Sequence, residues 1–531
     1  MASHHHRLVQ DSLLESARLF GGKEALVAEG RRLSYSEWLD RSLRLGRSLQ
    51  DLGTQPGDRV AVFMENGVDA AISIYGIWLA GGVVMVVNPQ TKADKLAYLL
   101  ADSQARIVLT HANQKRIAQR SLEAMPAGSI APVVVVLDAN GDGERSFADV
   151  LQTTPPEPRD PKTLAIDLAA LIYTSGSTGN PKGVMVTHQN VTFTLGSLTE
   201  YLRLSSDDRM LNLLPLAFNY GLYQLLMAVR MSATLILEAG FGYPAVIEQR
   251  IRDEAVTVFP GVPTVFSTFL SRSGTSLPSV RRVTNTAASL SPGLLPAIRE
   301  KFPQALLFKM YGLTECKRAC YLEPEEAFDR PESVGKAIPG TEVFLLDHDG
   351  NPVGPDQPGI LHVRGPHVMV GYWNKPAETA HMLRPGRNAA DRVLCTHDVF
   401  RMDKDGYLYF VGRTDDIIKT RGEKVSPAEV ENVLYGIPGI RDAAVIGVAD
   451  PLLGEAIRAF VSRTPGSNIS EREIRRCCQE KLESFMVPKE FVFLEDLPKT
   501  DTGKIRKKNL AALQPNSPAI SDSTTPILVT K

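Results

Sequence analysis

The chain has 531 residues, with 59 basic and 60 acidic side chains, so its formal net charge is −1. Because one domain usually holds about 100–200 residues, this length predicts more than one folded unit. Hydrophobic residues make up 43% and charged residues 22% of the chain, which excludes a wholly disordered protein and a fibrous repeat. The balanced charge argues against nucleic acid as the main partner, since phosphate binding draws on a clustered excess of lysine and arginine. Small molecules or proteins are the expected partners.

The five cysteines do not form the framework of a disulfide-rich protein, because they are few for this length and odd in number. Their spacing relative to the histidines is not of the zinc type. We therefore expect reduced cysteines in a cytoplasmic protein. The N-terminal residues lack the apolar stretch of a signal peptide, which agrees with this location.

Short apolar segments rich in Val, Ile and Leu alternate with helical patterns from residue 33 to about residue 310. Continuous apolar strands between helices are typical of a buried parallel sheet. The clearest predicted strands are Arg59–Phe63, Val83–Val87, Ala105–Leu109, Val133–Leu137 and Thr234–Leu237.

One segment, Ala70–Val87, has no charged residue and just reaches the length of a membrane-spanning helix. Gly81 and Gly82 divide it into a helical pattern and a following β-branched run. Because glycine commonly ends a helix, a buried helix followed by a buried strand explains the segment better. We therefore expect no membrane span.

The pattern changes after about residue 330, where turn signals such as Asp405-Gly406 become frequent and predict the hairpins of a β-rich subdomain. Beyond Gly412, a strand–helix–strand–helix pattern predicts a small α+β domain. The predicted fold is thus α/β, with a large N-terminal domain of parallel and mixed sheets (residues 1–413) and a C-terminal α+β domain (residues 414–512). Residues 513–531 include a Pro-, Ser- and Thr-rich stretch without periodicity, which is typical of a disordered tail.

A loop rich in glycine and hydroxyl side chains follows the apolar strand near Leu171. Its glycines allow tight turns whose backbone N–H groups face an anion, and its hydroxyls and Lys182 add donors and a positive charge. This composition predicts a phosphate-binding loop rather than a flexible linker. It is not a Walker A loop, because Gly183 follows Lys182 where that motif needs Ser or Thr. The loop residues are Thr174, Ser175, Gly176, Ser177, Thr178, Gly179 and Lys182.

Five ordered motifs, this loop among them, resemble those of the adenylate-forming superfamily. That superfamily comprises acyl-CoA synthetases, peptide-synthetase adenylation domains and luciferases. The resemblance covers about residues 10–512. Its motifs are Tyr173–His188, Met310–Glu315, Thr396–Asp398, Gly412–Asp416 with Lys419–Glu431, and Pro498–Lys504.

The resemblance implies an AMP-forming acid–thiol ligase. Attack of a carboxylate on the α-phosphate of ATP gives an acyl-adenylate and pyrophosphate, and a thiol then captures the acyl group. Such a transfer depends on positioned cations and donors more than on a protein nucleophile. The simplest thiol is that of CoA, and the alternative is the phosphopantetheine of an acyl or peptidyl carrier protein. A luciferase-like monooxygenase shares the adenylation step and is a third hypothesis.

By resemblance, the loop with Lys182 holds the β- and γ-phosphates, Tyr311 stacks on the adenine and Thr314 contacts the α-phosphate. Glu315 binds Mg²⁺, a hard cation suited to carboxylate oxygen. The main catalytic residue is Lys504, whose ammonium bridges the substrate carboxylate and the α-phosphate; Lys182 and Glu315 assist it. The remaining nucleotide contacts implied are Ala287, Ala288, Ser289, Met310, Gly312, Leu313, Asp398 and Arg413.

Asp398 is expected to accept hydrogen bonds from both ribose hydroxyls, because an ionised carboxylate is an acceptor only. The family usually has glycine before this aspartate, whereas His397 stands here. We expect its imidazole to point outward.

The resemblance also implies that the C-terminal domain is mobile and rotates about a hinge at Asp415 between the two half-reactions. The loop that then lines the thiol tunnel contains Arg421, Gly422, Glu423 and Lys424. The basic residues after Lys504 are interpreted as a solvated tail: Arg506, Lys507 and Lys508.

The acyl pocket is expected at Phe218, Asn219, Tyr220, Gly221 and Thr286. In α-amino-acid adenylation domains, an aspartate at the place of Asn219 pairs with the substrate ammonium. A neutral asparagine lacks that charge, so an α-amino acid is disfavoured. Thr286 and the following alanine stand where the family often has glycine, and the added bulk favours a small to medium acid.

Overall fold

The computed structural model describes residues 6–138, 157–174, 180–270, 275–286, 290–388, 391–414, 416, 418–420, 423–450, 453–482, 484–500 and 505–510. The chain divides into two compact units, Met1–Phe410 and Val411–Lys531. The tail predicted at residues 513–531 lies outside the described residues.

The helices of the first unit follow one another in the order of the predicted α/β alternation. They are α1 (Asp11–Phe20), α2 (Tyr35–Asp51), α3 (Val68–Leu79), α4 (Ala93–Ser103), α5 (Ala112–Glu123), α6 (His188–Tyr201), α7 (Asn219–Arg230), α8 (Pro244–Asp253), α9 (Pro263–Leu270), α10 (Leu295–Lys301) and α11 (Pro376–Met382).

The strands β1 to β21 separate these helices and continue beyond them. They are β1 (Glu24–Ala28), β2 (Arg31–Ser34), β3 (Arg59–Phe63), β4 (Val83–Val86), β5 (Ile107–Thr110), β6 (Val133–Val136), β7 (Leu168–Thr174), β8 (Lys182–Thr187), β9 (Arg209–Asn212), β10 (Thr234–Leu237), β11 (Val258–Gly261), β12 (Arg282–Asn285), β13 (Leu306–Tyr311), β14 (Cys320–Leu322), β15 (Ser333–Ala337), β16 (Glu342–Leu346), β17 (Gly359–Arg364), β18 (Gly371–Tyr372), β19 (Leu383–Pro385), β20 (Arg392–Met402) and β21 (Leu408–Arg413).

Two sheets organise the first unit. One has the strand order β18-β8-β7-β4-β3-β5-β6, and its β3, β4, β5 and β6 pair in parallel. The other runs β16-β17-β20-β21-β15-β14-β13-β12-β11-β9-β10-β1-β2 and is parallel from β13 through β12, β11, β9 and β10 to β1. These pairings confirm the predicted parallel α/β fold. Its apolar strands are buried, since a parallel sheet is covered on both faces.

The charge-free segment splits as the sequence predicts. Its helix α3 is buried along nearly its whole length, and β4 begins after Gly81, which has a φ of +85°. A helix that is apolar on all sides belongs in a protein core. There, Trp78 of α3 donates from Nε1 to the Ala169 carbonyl at 2.8 Å. Among the described helices, none has both the length and the apolar character needed to cross a membrane.

The region after residue 330 forms antiparallel pairs, as its turn signals predict. Strand β16 pairs with β17, β17 with β20, and β15 with β21. All five cysteines are free, and only Cys477 is partly accessible.

The second unit is an α+β structure with its own apolar core. Its sheet pairs two long strands, Ile440–Asp450 and Gly454–Arg463, in antiparallel fashion, and Glu490–Phe493 lies parallel to the second. Ser470 caps the helix predicted near it, in a reciprocal box with Glu473. The elements are β22 (Ile418–Thr420), β23 (Glu423–Val425), α12 (Pro427–Tyr435), β24 (Ile440–Asp450), β25 (Gly454–Arg463), α13 (Glu471–Lys481), β26 (Glu490–Phe493) and α14 (Lys507–Leu510).

The interpretation of Lys507 as part of a solvated tail is wrong. Its Nζ lies 2.7 Å from Glu431 Oε1, which also accepts from the backbone N–H of Val445 at 2.8 Å. Burial raises the pKa of Glu431, and the Lys507 ammonium opposes that shift. The lysine therefore fastens α14 to the core of the second unit.

Candidate active site

The hairpin β7–β8 carries the predicted phosphate loop, and Thr174 and Lys182 face each other at its base. Hydrogen bonds from Tyr98 and Trp373 hold this base in place. Tyr98 Oη donates to the Pro181 carbonyl at 3.0 Å, and the backbone N–H of Trp373 donates to the Gly183 carbonyl at 2.8 Å. Backbone anchored on both sides of Lys182 fixes where its side chain starts.

The side chains of Lys182 and Glu315 both contact Tyr372. The Lys182 ammonium lies 5.4 Å from the centroid of the Tyr372 ring, within cation–π distance. Tyr372 Oη donates to Glu315 Oε1 at 2.6 Å, and the Met369 backbone N–H donates to the Glu315 carbonyl at 2.8 Å. Tyr372 is not predicted from the sequence, since nothing in its local pattern distinguishes it from a core aromatic.

Tyr311 and Asp398 form a second pair. Tyr311 Oη donates to Asp398 Oδ2 at 2.5 Å, and Asp398 is only 4% exposed. Burial, and next the Asp398 carboxylate, raises the pKa of Tyr311 well above its ordinary value, so the phenol remains a donor. The Tyr311 ring meets Phe400 edge-on, with centroids 4.8 Å apart. The hydrogen bond thereby holds one oxygen of the Asp398 carboxylate. The stacking of Tyr311 on the adenine stays a prediction.

The substitution of glycine by His397 has a conformational consequence. His397 has a φ of +56°, in the left-handed region that favours glycine. Its imidazole stacks on His381 of α11, with ring centroids 4.5 Å apart and planes at 12°. This stacking gives the imidazole a packed position on α11, and its outward orientation, away from the ribose, stays a prediction.

Two buried cations follow Glu315. Lys317 Nζ donates to the Thr314 carbonyl at 2.6 Å, and burial lowers the pKa of Lys317 to about 7, against the opposing effect of Glu315. Arg318 Nη1 donates to the Lys317 carbonyl at 2.7 Å. Neither residue is predicted to be functional from the sequence, although two consecutive basic residues between Cys316 and Ala319 are a visible signal.

The predicted acyl-pocket residues gather around the start of α7. Asn219 is its first residue, and a side chain at Gly221 would collide with the Pro215 carbonyl, so only glycine fits there. Tyr220 Oη donates to the carbonyl of Thr284, on β12, at 2.8 Å. Thr286 follows that strand and is 2% exposed. Phe218 immediately precedes α7.

Other predicted residues have the following positions. Met310 Sδ accepts from Tyr201 Oη at 2.9 Å, a side chain at Gly312 would collide with the Lys317 carbonyl, and Leu313 and Thr314 are half-buried. Arg413 is exposed in the second unit, and Glu423 and Lys424 belong to β23. The residues outside the described part of the chain are Ser175, Gly176, Ser177, Thr178, Gly179, Ala287, Ala288, Ser289, Asp415, Arg421, Gly422 and Lys504.

Two family models match the chain. The model of the AMP-binding enzyme matches residues 13–373, and that of the AMP-binding enzyme C-terminal domain matches residues 429–504. The chain belongs to the family of AMP-binding enzymes.

This AMP-binding enzyme is similar to proteins of known activity along nearly its whole length. It is 31% identical to the long-chain-fatty-acid–CoA ligase of Bacillus subtilis (strain 168), over 95% of this chain and 94% of that protein. It is 33% identical to the feruloyl-CoA synthase of an Amycolatopsis species, over 92% and 96% of the two chains. The crystal structure of ATP-bound MatB from Rhodopseudomonas palustris superposes with a TM-score of 0.83 at 29% identity, covering 93% of this chain and 97% of that one.

The family reaction is activation of a carboxylic acid with ATP to an acyl-adenylate, followed by transfer of the acyl group to CoA. The AMP-binding enzyme described here is an AMP-forming acid–thiol ligase of that family.

Proposed function

We propose that this enzyme joins a carboxylic acid other than an α-amino acid to CoA, with Mg²⁺ bound at Glu315. The observation that supports it best is the meeting of Lys182, Tyr372 and Glu315 beside the Tyr311–Asp398 pair. Glu315 belongs to the segment Met310–Glu315, and Asp398 contacts that segment at Tyr311. With the Lys182 ammonium, these two carboxylates suit a nucleotide with a polyphosphate at one end and a ribose at the other. ATP and CoA as substrates support a cytoplasmic location for this activity.

Glu315 suits Mg²⁺ by its chemistry. Its carboxylate is half-buried and oriented by the Tyr372 hydroxyl. Among the described residues there is no group of three or more His, Cys, Asp and Glu side chains that could hold a metal ion. This agrees with the usual magnesium site of nucleotide enzymes, where one or two carboxylates and the substrate phosphates share the ion. When bound, the ion neutralises charge on the phosphates.

In the first half-reaction, an oxygen of the substrate carboxylate attacks the α-phosphorus, and the bond to pyrophosphate breaks. Lys182 stabilises the leaving pyrophosphate, and Asp398 positions the ribose. We propose that the Lys504 ammonium bridges the substrate carboxylate and the α-phosphate, as the resemblance implies. These groups hold and orient the substrates, and none of them forms a covalent bond.

In the second half-reaction, the thiol sulfur attacks the acyl carbon and AMP leaves. We propose that Arg421, Gly422, Glu423 and Lys424 line the thiol path after rotation about Asp415. A glycine in that loop permits the close approach of a pantetheine arm.

The acid is the part of the function that the relatives do not fix. The two CoA-forming relatives described above are named for a fatty acid and for ferulic acid, which differ in shape and polarity. The neutral Asn219 supports a substrate without an ammonium group near that position.

Pyrophosphate release across a panel of carboxylic acids, amino acids included, tests this proposal when measured with and without CoA. Continuous turnover that requires CoA is the expected result. A stoichiometric burst unaffected by CoA would favour a carrier protein as the acceptor, and the absence of release with every acid would contradict the proposal.

A further inference from the structure

Arg318 is a buried cation without a carboxylate partner among the described residues. It is 6% exposed, and no Asp or Glu oxygen of the described chain lies within ion-pair distance of its guanidinium. Its Nη1 donates to a backbone carbonyl, and its Nε has no hydrogen-bond partner among the described residues. Because arginine is almost never fully buried unless it is paired, this guanidinium lacks its usual complement.

The guanidinium lies over a residue predicted to line the acyl pocket. Its central carbon lies 5.1 Å from the centroid of the Tyr220 ring. The neighbouring Asn219 Oδ1 and Thr286 Oγ1 are likewise buried without a hydrogen-bond partner in the described part of the chain. Buried polar groups are normally hydrogen-bonded, so three such groups on or beside the residues predicted for the acyl pocket point to a polar ligand.

The nucleotide has its own contacts and does not account for Arg318. Lys182 lies over a different ring, Tyr372, and the Glu315 carboxylate bonds that same tyrosine. Arg318 instead packs on the tyrosine that is bonded to β12. Its charge therefore belongs to the side of the site that receives the acid.

We propose that the acid is a dicarboxylic acid whose second carboxylate binds Arg318. This inference rests on the proposed function, since it names the substrate class of the same site. A planar guanidinium offers paired N–H donors that match the two oxygens of a carboxylate. The first carboxylate is activated at the α-phosphate, while the second is held at Arg318 and stays unreacted.

The test compares matched acids on the wild-type enzyme. Each α,ω-dicarboxylate, aliphatic or aromatic, is paired with the monocarboxylate that carries a methyl group in place of the second carboxylate, and with the monomethyl ester. With saturating ATP and CoA, kcat/KM from pyrophosphate release should favour at least one dicarboxylate over both partners by on the order of 100-fold, because a site built for a polar group rejects analogues that lack it.

Arg318→Met and Arg318→Lys then assign this preference to the residue. Met removes the charge, and we expect the dicarboxylate preference to fall by on the order of 100-fold; Lys keeps a charge without the paired donors and should retain part of it. Arg401→Met is the matched control, because Arg401 also lies over a tyrosine ring but pairs with Asp356 at 3.1 Å. Its preference should equal that of the wild type.

The outcomes separate this inference from the proposed function. Turnover of monocarboxylates with CoA at rates equal to those of every dicarboxylate would overturn the inference and leave the proposed function standing. An equal loss on both classes of acid in Arg318→Met would overturn it too, because a structural arginine behaves in that way. If Arg318→Met does not fold, the wild-type comparison of matched acids still decides.

Discussion

The residues proposed to bind the nucleotide and those proposed to bind the acid differ in whether a tyrosine hydroxyl orients them. On the nucleotide side, Tyr311 bonds Asp398 and Tyr372 bonds Glu315. On the acyl side, polar atoms of Asn219, Thr286 and Arg318 have no partner in the described part of the chain.

This difference follows the chemistry of the two ligands. A nucleotide common to a whole family can be met by carboxylates that the scaffold orients in advance. The acid varies between relatives, so the groups that recognise it are completed by the acid itself. Carboxylates oriented by a tyrosine hydroxyl thus mark the proposed nucleotide contacts, and Arg318, Asn219 and Thr286 mark the proposed contacts of the acid.

The largest expected effect comes from Glu315→Gln. The substitution keeps the shape of the side chain but removes the charge that binds Mg²⁺, so we expect kcat/KM for ATP to fall roughly 100- to 1000-fold. Pyrophosphate release measured over a range of Mg²⁺ concentrations checks this. Glu326→Gln is the control, because Glu326 also accepts from a tyrosine hydroxyl, that of Tyr407 at 2.5 Å. Equal losses in both variants would remove the metal role from Glu315.

Asp398→Asn should have the next largest effect. The amide can still accept from Tyr311, but it loses the negative charge that strengthens its hydrogen bonds to the ribose hydroxyls. We expect the KM for ATP to rise about 10- to 100-fold with a smaller change in kcat. Asp403→Asn is the control, since Tyr409 Oη donates to Asp403 at 3.1 Å. An unchanged KM for ATP in Asp398→Asn would contradict the ribose assignment.

Tyr372→Phe tests whether the nucleotide side is preassembled. Removing the hydroxyl leaves Glu315 Oε1 without this donor, so the free energy of unfolding of the ligand-free enzyme should fall by about 1 kcal/mol. Urea denaturation monitored by circular dichroism measures this change. A Tyr372→Phe enzyme as stable as the wild type would show that the bond contributes nothing before the ligand arrives.

Thr286→Val should have a smaller effect of the opposite sign. The substitution replaces a buried hydroxyl that has no partner among the described residues, so the ligand-free enzyme should gain up to about 1 kcal/mol while its turnover falls. Thr110→Val is the matched control and should destabilise, because Thr110 Oγ1 donates to the Phe63 carbonyl at 2.8 Å. Destabilisation by Thr286→Val would mean that its hydroxyl is satisfied within the protein.

The sequence predicts the elements well where a local pattern determines them. Apolar strands such as Arg59–Phe63 follow from the pattern of a few consecutive residues. Tyr372 and Lys507 were missed because their partners, Glu315 and Glu431, lie 57 and 76 residues away in the chain. No local pattern reports such a contact.

Arg318 illustrates a different limit. Its identity is visible in the sequence, but the same residue on a surface would mean only a solvated charge. What indicates a function for Arg318 is its burial against Tyr220 without an ion pair to an acidic side chain in the described part of the chain.

The placement of the cysteines has a consequence for an enzyme whose second substrate is a thiol. Burial raises the pKa of Cys316 to about 12 and that of Cys478 to about 11, so neither forms appreciable thiolate at neutral pH. Cys320 and Cys395 are buried as well. These protein sulfurs therefore compete poorly with the substrate thiol for the activated acyl group and resist mixed-disulfide formation with it.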